Sequence, residues 1–524
     1  MRLGIWPHKQ VSGIRPTPEI VIGLVGALGA PLKDVVGAIS NAMSAAAYKT
    51  HEIRVSRLIE RASGIETCDE AETAERLEEA MRLGTKLREE TGLGWAAAGL
   101  SAFAVRGKRG SKTPKEANCY VLRSLKHPDE IVKLRAVYGE QFYVLGVYSP
   151  RRERIERLAQ RFALAAGGRA TDYRSEAERL VDKDDREAGT QLGQLVRDAF
   201  PLSDVFITSN RPIEAQVQRW FDLLFDRPVV TPSRDESGMF HAFAASLRSA
   251  ALGRQVGAAL ATTAGELLAV GCNEVARAGG GQYWEGDERD GRDFTRGFDR
   301  SDLGKQHALR EVIRAFKDAK WMTRAVVQLS DDELLAGIVT GKAGYPVLKE
   351  AAVFNLTEFT RDVHAETAAL LSAAKQGIAT SGSVLFATTF PCHNCAKHII
   401  AAGVRRVVYV EPYAKSYASE FYRGTINVDG ETDEERIAFE PFSGVAPRNF
   451  VSAFQMTTTR KSKDGRIPRW LRADAIPRFV RLGIDVAYLS REGMAIVDFE
   501  KKLASARSAD KNRALTGQKR GRKR

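Results

Sequence analysis

Two rhythms of apolar and polar residues divide this chain. Glu19–Gly26 is a β-branched and apolar run closed by glycine, which predicts a strand, and Leu32–Met43 repeats its apolar positions at helical spacing. Residues 66–90 are polar and helix-favouring, as an exposed helix requires. Phe142–Tyr148 predicts a second strand and Arg151–Phe162 a basic helix; Asp204–Thr208 predicts a third strand before a helix containing Gln216 to Phe225. Strands alternating with helices predict a parallel α/β layer from about 19 to 230. The stretch Arg227–Ser237, with Pro228 and Pro232, marks a boundary. Beyond it the pattern changes to helix Phe243–Leu252, strand Val256–Thr262, a turn at Ala264–Gly265 and strand Leu267–Cys272. After a polar insertion at about 277–350 come a helix near His364, strand Val384–Thr388, helix Pro391–Ala402 and strand Val407–Val410. That order predicts an α/β/α sandwich. The expected organisation is a lead-in (1–18), a first α/β domain (19–232), a second α/β domain (238–500) and a disordered basic tail (501–524).

Length supports two domains, since 524 residues exceed what one core usually serves. With 44% hydrophobic and 28% charged residues the chain is neither fibrous nor wholly disordered. The net charge of +13 is segregated: residues 501–524 hold ten Lys/Arg and one Asp, leaving the body only weakly basic. That argues against a nucleic-acid-coating surface, although the tail could meet RNA through its clustered cations. Five cysteines are too few for a disulfide framework, and no apolar run reaches the ~18–20 residues that span a bilayer. The expectation is a cytoplasmic protein without a membrane partner.

The chemistry concentrates in His364-Ala365-Glu366 and Pro391-Cys392-His393-Asn394-Cys395. One imidazole and two thiolates make a neutral zinc site with a fourth position open. Cys392 and Cys395 stand at i and i+3, so one helix directs both sulfurs the same way. His364, Cys392 and Cys395 are therefore the expected Zn2+ ligands, and Glu366, not needed as a ligand, the expected general acid/base. The competing reading is a structural zinc completed by His393 or His398, although His398 would point about 120° away from the Cys392 sulfur at 3.6 residues per turn. A redox CxxC is a further alternative.

The order H-x-E…P-C-x-x-C is the signature of zinc-dependent nucleobase deaminases. Arg254-Gln255-Val256-Gly257-Ala258-Ala259 and Gly271-Cys272-Asn273-Glu274 resemble the deoxycytidylate deaminase family. The resemblance implies that Asn273 binds the deoxyribose 3′ side and that the backbone of Val256, Gly257 and Ala258 flanks the pyrimidine. A plain turn role for Asn273 stays open. Gly279–Trp284 (GGGQYW), Glu358–Val363 and Phe439–Arg448 (FEPFSGVAPR) are similar to a bacterial anti-phage dCTP deaminase group, which pairs a P-loop-kinase-like first half with a cytidine-deaminase-like second half. This resemblance implies deamination of dCTP or dCMP, dCTP depletion during infection, and assembly as a homo-oligomer. Phosphate would need cationic or hydroxyl donors near the pocket mouth; Lys415, Ser416 and Arg448 are candidates, each equally readable as a solvated surface residue, and Arg254 is a phosphate or structural contact.

Gly23, Gly26 and Gly29 sit where a phosphate loop would, between a strand and a helix. The pattern GxxxxGK[ST] is not met: Ala30 and Pro31 replace the lysine and the hydroxyl residue. The first domain is thus expected to be kinase-like without phosphoryl transfer, either a scaffold or a sensor of a nucleotide effector or of an inhibitory RNA or protein partner. Arg151, Arg152 and Arg154 resemble a kinase lid, and equally an exposed basic helix. Two other functions stand beside deamination of free nucleotides: deamination of cytosine within nucleic acid, and a regulatory protein with structural zinc.

Overall fold

The computed structural model describes residues 18–65, 73–111, 114, 116–186, 195–340, 351, 353, 356–412, 416–428, 435–456, 459–475, 477–478 and 487–521. It divides into two compact units, Met1–Thr231 with Ser443–Arg524, and Pro232–Phe442. The division after Thr231 falls inside the proline-containing stretch 227–237. Residues 443–500, expected with the second domain, belong to the first unit. Gly444–Val445 explains part of this, because it pairs antiparallel with the edge strand of the first sheet.

In the first unit β1 (Ile20–Gly26), β2 (Lys49–Arg54), β3 (Asn118–Leu125), β4 (Phe142–Tyr148) and β5 (Val205–Thr208) lie in the order 5-4-1-3-2, all parallel. The central β1 is buried along its whole length, which is why it reads as an unbroken apolar run. The chain leaves β1 toward one side of the sheet and later returns to the other, so β1 ends at a topological switch point. Helix α1 (Leu32–Ser44) comes directly after it. Val35, Val36, Ile39 and Met43 form one buried stripe of α1 and share a core with Val217, Trp220 and Phe221. The same unit contains the helices α2 (Trp95–Arg109), α3 (Arg151–Ala166) and α4 (Arg174–Arg186).

Of the tail expected to be disordered, residues 501–521 are the end of a long helix, Ala487–Gly521. An ionic clasp holds its first turns. Arg109, on α2, bonds Glu19 and Glu492 at 2.7 Å each, with all three side chains almost fully buried. Tyr120 and Tyr488 donate hydroxyl hydrogen bonds to Glu19, and Tyr138 donates to Glu492. At Gly99 of α2 an added Cβ would lie 2.4 Å from the Cβ of Phe499, so the two helices meet where a side chain is missing.

The second unit holds a sheet of β6 (Gly257–Ala261), β7 (Leu267–Cys272), β10 (Val384–Thr389), β11 (Arg406–Glu411), β12 (Ile426–Asn427) and β13 (Ile437–Pro441), ordered 12-13-11-10-6-7. A two-stranded ladder pairs β8 (Glu274–Val275) with β9 (Asp362–Val363). β6 and β7 form an antiparallel hairpin, and β10 to β13 run parallel. Helices α5 (Arg234–Ser246), α6 (Ala365–Lys375) and α7 (His393–Ala401) pack on it. Gly257 sits beneath α5, where an added Cβ would lie 1.9 Å from the Ala242 carbonyl; Gly271, paired with Ala258, sits beneath α6. Neighbouring strand positions face opposite sides, so the sheet is covered on both faces as a three-layer α/β/α sandwich.

α5 begins earlier than the expected Phe243–Leu252, because Ser233 and Glu236 form a reciprocal capping box. Within the insertion, helices Arg300–Asp318 and Asp331–Thr340 enclose a small core of Leu309, Ile313, Leu334 and Leu335.

Candidate metal centre and pocket

Three local structures converge on one point. The β8–β9 ladder starts directly after Asn273 and ends directly before His364, which brings those two residues together. His364 is the N-cap of α6, in extended backbone conformation, and Glu366 occupies the first turn. β10 delivers the chain to Cys392, the N-cap of α7. Its sulfur accepts the N–H of Cys395 at 3.4 Å, so Cys392 precedes the helix and does not lie within it. Ser416 fixes the approach by donating its hydroxyl to the Pro391 carbonyl at 2.8 Å.

His364 Nδ1 lies 3.3 Å from Cys392 Sγ and 3.4 Å from Cys395 Sγ. Among the described residues these three form the one group of His, Cys, Asp and Glu side chains able to hold a metal ion, all donor atoms lying within 4.8 Å of each other. Tetrahedral zinc with Zn–S of about 2.3 Å and Zn–N of about 2.0 Å requires an N···S separation of about 3.5 Å, so the donors fit the ion with little movement. His398 is exposed on α7 and takes no part.

The electrostatics suit the same ion. The Cys392 thiol is pushed down to about 4, first by the hydrogen bond from Cys395 and then by His364. The His364 imidazole is pushed up to about 9 by its hydrogen bond with Cys392. Cys395 is raised by the same sharing and by burial. Metal binding discharges these protons, since only thiolates and neutral imidazole are ligands. Glu366 is 4% exposed, and burial raises its carboxyl.

Beside the donors lies a cavity of about 160 Å³ walled by Val256, Asn273, Glu366, Thr389 and Phe390, with Arg254 at its edge. Asn273 binds the wall itself: Oδ1 accepts the Val256 N–H at 2.7 Å and Nδ2 donates to the Arg254 carbonyl at 2.8 Å. Arg254 is ion-paired with Glu411. Gly257 and Ala258 do not line this cavity; they are sheet core, Gly257 donating its N–H to Thr388 and Ala258 fully buried. Lys415 lies outside the described residues. Arg448 belongs to the first unit, where it donates to the carbonyls of Pro201, Leu202 and Ser203 and pairs with Asp204. Its guanidinium is consumed by the end of a short helical turn, which removes it as a phosphate contact. Thr389, Phe390 and Glu411 carry no motif that marks them as site residues. Nor do Tyr417 and Phe421, whose rings stack 5.5 Å apart against His393.

The glycine loop of the first unit is built differently. Gly23 lies inside β1, where an added Cβ would meet Leu125 at 2.6 Å, and Gly26 ends the strand. Gly29 has φ +86 and abuts the Arg154 carbonyl, which an added Cβ would approach to 2.5 Å. The Leu28 N–H donates to the Asp184 carboxylate at 2.7 Å. Lys126 donates to the Gly26 carbonyl at 3.1 Å and lies 3.5 Å from Asp184. Of the suggested lid residues, Arg151 pairs with Asp182, Arg152 with Glu156, and Arg154 is buried against the Leu28 carbonyl.

Residues 232–411 match the family model of the cytidine and deoxycytidylate deaminase zinc-binding region, and His364, Cys392 and Cys395 are the group within it that can hold zinc. ComE operon protein 2 of Bacillus subtilis is 34% identical over 95 residues, which is 18% of this chain and 50% of that protein. The deoxycytidylate deaminase of Enterobacteria phage T4 is 40% identical over 55 residues, 10% of this chain and 28% of its own. The chain thus spans half or less of the length of these curated relatives. Among solved structures, the dCMP deaminase of cyanophage S-TIM5 is 18% identical, with 40% of this chain and 99% of that chain covered at a TM-score of 0.21. Shikimate kinase of Aquifex aeolicus is 10% identical, with 38% and 94% covered at a TM-score of 0.19. The α/β architecture of both units rests on their own strand order. No helix among the described residues is long and apolar enough to cross a membrane.

Proposed function

We propose that the second unit is a zinc-dependent deaminase of deoxycytidine nucleotides, converting dCTP or dCMP to the uracil nucleotide and ammonia. One observation carries this reading: two members of the metal group, His364 and Cys392, and the buried carboxylate of Glu366 line the same small cavity. Structural zinc alone leaves that carboxylate unexplained. Zinc held there would bring a bound water's pKa to about 7 and so supply the nucleophile at neutral pH.

The chain's own residues do the rest. Val256 and Phe390 present apolar walls to a pyrimidine ring, and Asn273 keeps the Val256 wall in place. Glu366, with its carboxyl raised by burial, takes one proton from the attacking water and gives it to ring N3, then carries the water's second proton to the departing amine, which leaves as ammonia. Arg254 stands half-exposed at the cavity edge and can exchange Glu411 for a phosphate group. The narrow cavity and the weakly basic body favour a free nucleotide over a base within a strand, which would call for a basic groove and stacking platforms. The sequence resemblance supports dCTP depletion against phage as the biological role, in a homo-oligomer; the intact zinc motif joined to a degraded phosphate loop supports the first unit as a sensor.

The test is chromatographic profiling of zinc-loaded full-length protein with dCTP, dCMP and a cytosine-containing oligonucleotide. Uracil nucleotide from dCTP or dCMP, abolished in Glu366→Gln, supports the reading; product from the oligonucleotide alone overturns it.

A further inference from the structure

The two sulfurs of the metal group are held by different donors. Cys392 Sγ accepts a main-chain N–H, that of Cys395, which no side-chain substitution removes. Cys395 Sγ instead faces the hydroxyl of Thr367, 3.6 Å away. A hydroxyl and a thiol can exchange donor and acceptor roles, but a metal-bound cysteine is a thiolate without a proton, so Thr367 must then be the donor. Threonine within a helix can return its hydroxyl to a carbonyl of the preceding turn or point it to solvent. The Thr367 hydroxyl turns to sulfur instead. Cys395 is 2% exposed, so water has little access to replace that donor.

We propose that Thr367 is a positioning residue for the metal centre: its O–H···S hydrogen bond orients the Cys395 thiolate and sets how tightly the group holds zinc. The N-cap and first turn of α6 then contribute three things, the imidazole of His364, the carboxylate of Glu366 and the donor of Thr367. Outer partners of this kind fix ligand orientation, and their loss typically costs 10–100-fold in metal affinity. The inference rests on the group being a zinc site and is independent of which reaction the site performs.

Thr367→Val removes the hydroxyl at nearly constant shape, and Thr367→Ser keeps it. Zinc affinity of the full-length chain is read by titration against a competing chelator. The sulfur-to-cobalt charge-transfer band of Co2+-loaded protein reports the thiolate directly. The expected result is zinc binding weakened about 10–100-fold in Thr367→Val with a displaced band, and both restored in Thr367→Ser. Equal affinity and an unchanged band in the valine variant overturn the proposal. So does a serine variant as weak as the valine one, since the methyl group would then be what matters. Should Thr367→Val fail to fold, Thr367→Ala gives the same reading. Deamination is assayed separately at saturating zinc; if wild-type protein deaminates nothing, the proposed reaction falls while the affinity result stands.

Discussion

Two junctions in this protein share one plan: a buried strand runs into a loop and then a helix, once from β1 to α1 and once from β10 to α7. At the first, the loop is closed by its own unit. Leu28 gives its N–H to Asp184, Lys126 ties Gly26 to the same carboxylate, and Gly29 is pressed against α3. At the second, Cys392 and Cys395 face His364, a donor set that completes itself with a metal ion and borders an open cavity. The same local geometry thus serves internal cohesion in one place and chemistry in the other. The difference lies in whether the polar groups at the loop find partners within the chain.

The contrast can be broken most severely at the metal. Cys392→Ala removes a ligand and the α7 cap together, and we expect zinc content by elemental analysis to fall from stoichiometric to background, with the second unit destabilised. Glu366→Gln should leave zinc bound and the fold intact while slowing deamination about 10²–10⁴-fold, the usual contribution of a positioned acid/base; retention of full turnover would remove Glu366 from the mechanism. In the first unit Arg109→Met strips the cation from two buried carboxylates and should cost about 3–5 kcal/mol in chemical denaturation. The smallest effect is expected from Asp184→Ala, which frees Leu28 N–H and Lys126 and should cost about 1–3 kcal/mol without altering zinc content. An unchanged midpoint there would show that the loop is not held by Asp184.

Legibility in the sequence divides along the same line. The group able to hold a metal and the buried carboxylate beside it were readable as the short-spaced patterns HxE and CxxC. β1, β4, β7 and β10 were readable because each is a compact apolar run. β2, with the sequence KTHEIR, was not, since a polar edge strand lacks that signature. Nor was the membership of residues 443–500, because a two-residue strand and scattered contacts leave no periodicity. Asn273 was legible as a pocket residue, but its use as a brace between the Arg254 carbonyl and the Val256 N–H depends on backbone positions that spacing does not encode. Thr367 was invisible for a related reason: its partner lies 28 residues away and is met only once α6 and α7 are packed.

The clasp of Glu19, Arg109 and Glu492 has a consequence for biosynthesis. Its first acid stands at position 19, and its last lies 473 positions later along the chain. During translation Glu19, met at first by Arg109 and Tyr120, must wait for its remaining partners until Tyr488 and Glu492 have left the ribosome. The first unit is therefore expected to reach its final state after the second, although its strands are made before it.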